Sequence, residues 1–231
     1  MICHFTEFQQ GNDPHEAHIQ KNATYRKGCL SLHSNYESLE HRHFILHKPF
    51  GYLCQFTCEL DWKKLLGELH DFPEGTMAIG RLDEDSEGLL ILTTSGMMSE
   101  KVRSRNVEKE YHVQVDGIIT DEALEKLRQG VEIGIRNVKY VTQPCKAERL
   151  EHDPGFAPRT KKIRDDRHGP TCWISITITE GRYRQIRKMT AAAGFPTLRL
   201  VRVRIGNVCL GELKAGEKRE MEEERLLQMI T

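Results

Sequence analysis

Asp83, Glu84, Asp85 and Glu87 crowd into GRLDEDSEGLLILTTSG (Gly80–Gly96), directly ahead of an apolar run. Acids gathered at the mouth of a buried strand can ligate a cation, do acid–base or nucleophilic chemistry, or simply face water in a turn. Calcium fails on spacing. Asp83, Asp85, Glu87 and Gly88 fit the first, third, fifth and sixth positions of a calcium loop, but its twelfth position needs a bidentate Glu and is Thr94 here. Zinc fares no better: Cys54 and Cys58 with His41, His43 and His47 lack a second pair at ligand spacing. A solvated turn and a single reactive carboxylate remain.

A second cluster has the opposite sign. Between Gly181 and Ile205 stand Arg182, Arg184, Arg187, Lys188, Arg199, Arg202 and Arg204, without one acid. Formal net charge is zero over 231 residues, so no global field points to a polyanion. A local basic face can still grip phosphates, because screening confines each charge to about 8–10 Å. The seven cysteines are odd in number and scattered, which implies free thiols in a reducing compartment, the cytoplasm being the expectation. No apolar run approaches the roughly 20 residues of a membrane span. The first residues lack a signal peptide's apolar core, and Glu7, Asp13 and Glu16 argue against a transit peptide.

Both clusters need elements to aim them. Residues 1–40 show no sustained period and read as a mobile arm, with the ordered domain at 41–231. His43–His47 reads as a strand, Lys48-Pro49-Phe50-Gly51 as a turn, and Tyr52–Thr57 as extended. Leu65, Leu66 and Leu69 at helical spacing predict a helix over Asp61–Phe72. Met77–Leu82 and Leu89–Thr94 read as buried strands around the acidic loop, followed by a helix capped by Ser95 and running to about Ser104. Glu110–Asp116 alternates as a strand with Tyr111, Val113 and Val115 on one face. Thr120–Gln129 is an amphipathic helix ended by Gly130, and Val131–Glu148 is strand-like with a kink. Glu151–Pro170 is a long loop made basic by Arg159, Lys161, Lys162 and Arg164. Trp173–Glu180 alternates as a half-buried strand, Arg184–Ala193 is a helix, and Val201–Ile205 is a strand in which Val201, Val203 and Ile205 alternate with Arg202 and Arg204. A charged segment, helical after Glu220, closes the chain. The whole is an α+β fold: a large mixed, mostly antiparallel sheet flanked by helices, with a cleft across the sheet.

Four segments together, GRLDEDSEGLLILT, KEYHV (Lys109–Val113), EGRYRQIRKM (Glu180–Met189) and HKPFG (His47–Gly51), resemble the RsuA-type pseudouridine synthases from about His43 to Val208. FPTLRL (Phe195–Leu200) and the basic loop are most similar to the RluE branch, which modifies large-subunit ribosomal RNA. The resemblance implies isomerisation of uridine to pseudouridine with Asp83 as nucleophile, Arg187 as its basic partner, and Tyr111 as base or stacking residue. The other acids of the loop then shape the turn. Such a nucleophile must be ionised yet poorly solvated, in a pocket that excludes water. Arg81 is placed to fill the gap left by an extruded nucleotide. Lys48, Arg182, Arg184, Lys188, Arg199, Arg202, Arg204, Lys161, Lys162 and Arg164 are the expected phosphate contacts.

The reaction is redox-neutral and atom-conserving, so neither cofactor nor metal is expected. The expected partner is a stem-loop of large-subunit ribosomal RNA, met by a monomer without an S4 domain and without a membrane. The pattern departs from the family at His47, where the opening motif usually has Asn. A non-catalytic RNA-binding or ribosome-assembly factor, or a synthase acting on transfer RNA, are the alternative readings.

Overall fold

Strand β1 (His43–Lys48) is followed by β2 (Tyr52–Leu53), β3 (Lys64–Leu65), β4 (Met77–Ile79) and β5 (Glu87–Thr93). The computed structural model describes residues 40–103, 107–163 and 166–230. Outside them lie the expected arm except Glu40, Arg164 of the basic loop, and Ser104 at the expected end of the first helix. Helix α1 (Gly96–Arg103) leads to β6 (Lys109–Asp116), α2 (Asp121–Gln129), the hairpin β7 (Glu132–Ile135) and β8 (Val138–Val141), and β9 (Lys146–Arg149). Then come β10 (Thr171–Ile178), α3 (Gln185–Ala192), β11 (Thr197–Ile205), β12 (Val208–Cys209), β13 (Lys218–Met221) and α4 (Glu223–Ile230).

The main sheet runs β13-β1-β5-β11-β6-β10-β9, with β12 added to β11 and β4 to β5. Its pairings are antiparallel except β5 with β11. This is the expected α+β fold. Central strands β1 and β5 bury every residue, and their two faces belong to two separate apolar cores. On one face Leu90, Leu92, Val113 and Ile174 pack under Leu124 and Leu127 of α2 and Ile186 and Met189 of α3. On the other, Ile45, Leu89, Ile91 and Val201 meet Met98 and Val102 of α1 and Leu226 and Ile230 of α4. Each fully buried aliphatic contributes about 1.5–3 kcal/mol relative to exposure. Gly88 is required where β5 meets β11: at φ +104°, a Cβ would come within 2.3 Å of the Arg202 carbonyl oxygen.

Three expectations are corrected. Asp61–Phe72 is not a helix. Lys64 and Leu65 pair in parallel with Tyr52 and Leu53, and only Leu66–Glu68 turns, as a 3₁₀ helix. The Leu66 N–H donates to the Gln55 carbonyl (3.0 Å) and Leu65 N–H to the Glu68 carboxylate (2.7 Å), so tertiary partners override the leucine spacing. Val131–Glu148 is three strands, because Arg136 and Asn137 adopt φ of 48° and 66° and close a two-residue hairpin. Strand β10 is buried on both faces from Trp173 to Ile178, since Phe156 of the long loop reaches back to pack on Trp173 (5.6 Å between rings). The caps agree with the sequence reading: the Ser95 hydroxyl accepts from Met98 N–H, and that of Thr120 from Ala123 N–H.

Candidate active site

The acidic loop is clasped residue by residue. The Asp83 carbonyl accepts from Ser86 N–H (3.1 Å), closing a tight turn. The preceding peptide is held by Cys54, whose thiol donates to the Leu82 carbonyl (3.3 Å) and accepts from Leu82 N–H (3.2 Å). The Glu84 carbonyl accepts from Gly51 N–H (2.9 Å) and from the Lys48 ammonium (3.4 Å), so the HKPFG turn grips the loop from below.

Three of the four carboxylates are occupied by cations. Glu84 pairs with Lys63 (2.7 Å). Asp85 takes two hydrogen bonds from Arg184 (2.9 Å each) and lies 3.5 Å from Arg187 Nε. Glu87 is buried and bidentately bound by Arg199 (2.9 and 2.8 Å). Asp83 differs. Its carboxylate accepts no hydrogen bond among the described residues, and its ion-pair partner is Arg184 at 3.6 Å. Burial pushes the Asp85 carboxyl up, but the Arg184 hydrogen bonds and the Arg187 charge outweigh it and hold it below the usual range. Arg184 is correspondingly raised by its hydrogen bonds to Asp85.

Asp83 opens onto a cleft of about 730 Å³ lined by Leu53, Gln55, Arg81, Tyr111, Arg136 and Arg182, among others. Tyr111 is 7 % exposed, and its hydroxyl lacks a hydrogen-bond partner among the described residues without being sealed from solvent; it opens to the cleft. Arg81 is exposed on the cleft wall and bonded to no other described residue. Arg182 stands at the rim, 4.8 Å over the Tyr140 ring and 3.9 Å from Glu180.

The expected Arg187–Asp83 pair is not present. Arg184, at the start of α3 with φ of 52°, sends its guanidinium to Asp83 and Asp85. Arg187, one turn later, lies under the loop and donates to the Asp85 carbonyl (2.7 Å) and, more weakly, the Ser86 hydroxyl (3.4 Å). Burial holds its pKa below the ordinary arginine value.

Four expected phosphate contacts are also corrected. Lys48 is fully buried, with its ammonium on the Pro49 carbonyl at 2.9 Å, and burial pulls its pKa down to about 8. Arg199 is consumed by Glu87 and the Ala157 carbonyl. Arg202 is buried against the Leu89 carbonyl (2.8 Å), with one guanidinium nitrogen unpartnered. Arg204 is paired to Glu108 and Glu110. Alternation sets Arg202 and Arg204 opposite Val201, Val203 and Ile205, but the face of Arg202 is buried too, and Arg204 is half-buried against its two glutamates. Lys161 and Lys162 are exposed on the loop, and Lys188 is anchored on the Gly134 carbonyl (2.7 Å). Arg136 and Gln55 escaped the sequence reading; the Arg-Asn turn of the hairpin was the available signal for the first.

The chain belongs to the RNA pseudouridylate synthase family, whose model matches residues 42–192. It is 42% identical over 180 residues to the ribosomal large subunit pseudouridine synthase E of Vibrio parahaemolyticus, covering 77% of this chain and 73% of that one. To the ribosomal small subunit pseudouridine synthase A of Escherichia coli it is 32% identical over 193 residues, covering 82% and 74%. A crystal structure of a pseudouridylate synthase superposes with a TM-score of 0.67 at 28% identity, covering 83% of this chain and 74% of that one. No helix among the described residues is long and apolar enough to cross a membrane.

Proposed function

We propose that this chain isomerises a uridine of large-subunit ribosomal RNA to pseudouridine, with Asp83 as the nucleophile. One observation carries the reading: of four acids in one loop, Asp83 alone is left without a hydrogen bond, facing a cleft large enough for a nucleoside. The reaction breaks the N1–C1′ bond, forms the C5–C1′ bond, removes the C5 proton and returns a proton to N1, so it needs no external reductant or cofactor. A carboxylate freed from hydrogen bonds but steadied by a cation at 3.6 Å is nucleophilic without being left unpaired. Arg184 and Arg187 position the loop through Asp85, and Tyr111 offers an unpartnered hydroxyl to the proton leaving C5 or a ring face to the uracil.

Arg81 fills the stack when the uridine leaves it, since a free guanidinium on the wall can stack on bases or bond an orphaned partner. Arg182, Arg136, the exposed Lys161 and Lys162, and the half-buried Lys188 steer phosphates. Identity of 42% to a large-subunit enzyme against 32% to a small-subunit one favours a large-subunit stem-loop. We place the protein in the cytoplasm as a monomer, with residues 41–231 as the catalytic domain and 1–40 as an arm. The test incubates the protein with transcripts of large-subunit, small-subunit and transfer RNA, then digests them to nucleosides and separates them by chromatography. Pseudouridine in the large-subunit transcript supports the reading; its appearance only in another RNA reassigns the substrate, and none in any sinks it.

A further inference from the structure

Among the described residues only two aromatic side chains are exposed, Trp62 at 75 % and Tyr183 at 66 %. One exposed aromatic is unremarkable. These two share a relation to the acidic loop that chance surface residues lack. Each is followed at once by a cation that grips that loop: Lys63 on Glu84 at 2.7 Å, and Arg184 on Asp85 at 2.9 Å with Asp83 at 3.6 Å. Each ring therefore sits one residue from a side chain paired to the loop that carries Asp83. Lys63 N–H also donates to the Leu60 carbonyl (3.1 Å), a turn that holds Trp62 outward. Tyr183 lines the cleft itself, with the Lys188 ammonium 5.1 Å from its ring centroid.

We infer that Trp62 and Tyr183 are stacking platforms for unpaired nucleobases flanking the target uridine. This deepens the proposed function and rests on that reading of the site. An aromatic ring has few rotamers to lose when a base stacks on it, and stacking tolerates any base. The substrate so defined presents splayed, single-stranded nucleotides around the uridine, and the enzyme discriminates against continuous duplex by the absence of free base faces.

Intrinsic fluorescence tests this directly, because the chain's other tryptophan, Trp173, is buried and bonded to Asp153. The full chain is titrated with a single-stranded oligoribonucleotide carrying one uridine among adenosines, and with the same strand annealed to its complement. Single strand is expected to quench Trp62 emission and duplex to leave it. By filter retention, Trp62→Ala and Tyr183→Ala each weaken single-strand binding about tenfold, while Trp62→Phe stays within about twofold. No quenching, or both alanine variants binding within about twofold of wild type, overturns the inference. Isomerisation is read separately, from nucleosides of large-subunit transcripts incubated with the same wild-type and variant proteins. Full activity with unchanged KM in both alanine variants defeats the platforms and spares the isomerase. Quenching of an inactive wild type does the reverse.

Discussion

Replacing Arg199 with Met separates a structural arginine from an RNA contact. Glu87 and Arg199 are 3 % and 8 % exposed and share two hydrogen bonds, so Arg199→Met leaves a buried carboxylate stripped of its bidentate partner. Orphaning one member of a buried pair costs about 3–5 kcal/mol. Arg159, 4.0 Å away, keeps some compensation in place and sets the expectation near the lower end, about 3 kcal/mol. At about 2–4 °C per kcal/mol for a chain of this size, the melting temperature falls by about 6–12 °C. Replacing both residues, as Glu87→Met with Arg199→Met, recovers much of the loss because neither charge is then buried alone. The second readout is salt. Log Kd for RNA plotted against log salt keeps its wild-type slope in Arg199→Met, whereas Arg182→Met at the cleft rim lowers the slope by about 0.7–0.9 without moving the melting temperature. A melting temperature within about 2 °C of wild type, or a reduced slope for Arg199→Met, would refute the assignment of Arg199 to the interior.

Asp85→Ala releases Arg184 from its bidentate partner and removes the nearest charge from Arg187, so kcat in single-turnover experiments drops about 10–100-fold while RNA affinity holds. An unchanged kcat contradicts the positioning role. Tyr111→Phe removes a hydroxyl that no described residue holds, so stability stays within about 0.5 kcal/mol by urea denaturation. If that hydroxyl moves the C5 proton, kcat falls about 10²–10⁴-fold; an unchanged kcat leaves the ring face as its contribution. Lys48 titrates at about 8 in the fold and at its ordinary 10.5 when unfolded, so the unfolded chain binds more protons between these values and this residue makes stability rise with pH across that window. Cys145, pushed by burial up to about 11 from 9.0, acts oppositely from pH 9 upward. Subtracting Lys48→Met from wild type in denaturation at pH 7 and pH 10 isolates a lysine contribution of about 2–3 kcal/mol; matching pH dependence in both proteins contradicts it.

The sheet was legible because β1, β5, β6 and β10 announce themselves by apolar runs or strict alternation, and α2 by its cap and terminal glycine. The acidic loop and the basic helix were legible as partners only through the resemblance of GRLDEDSEGLLILT and EGRYRQIRKM to one family. What the sequence hid were facts of depth. Alternation says that Arg202 points to the opposite face from Val201, yet not that this face is also covered. Lys48 looks like any turn lysine until the loop it holds is folded over it. The choice between Arg184 and Arg187 depends on one left-handed residue at the start of α3, which residue type alone does not reveal. Trp62 was lost inside a mistaken helix, because leucines at positions 65, 66 and 69 mimic a helical stripe while Gln55 and Tyr52 supply the backbone partners.

The central claim is that Asp83, alone among the loop's acids, attacks the substrate. It is tested by tritium release from large-subunit transcripts labelled at uridine C5, comparing wild type with Asp83→Asn, which is nearly isosteric and leaves Glu84, Asp85 and Glu87 in their pairs. Wild type is expected to release tritium and the variant none above background, with both proteins folded and binding RNA alike. Release by the variant at a rate near wild type would contradict it.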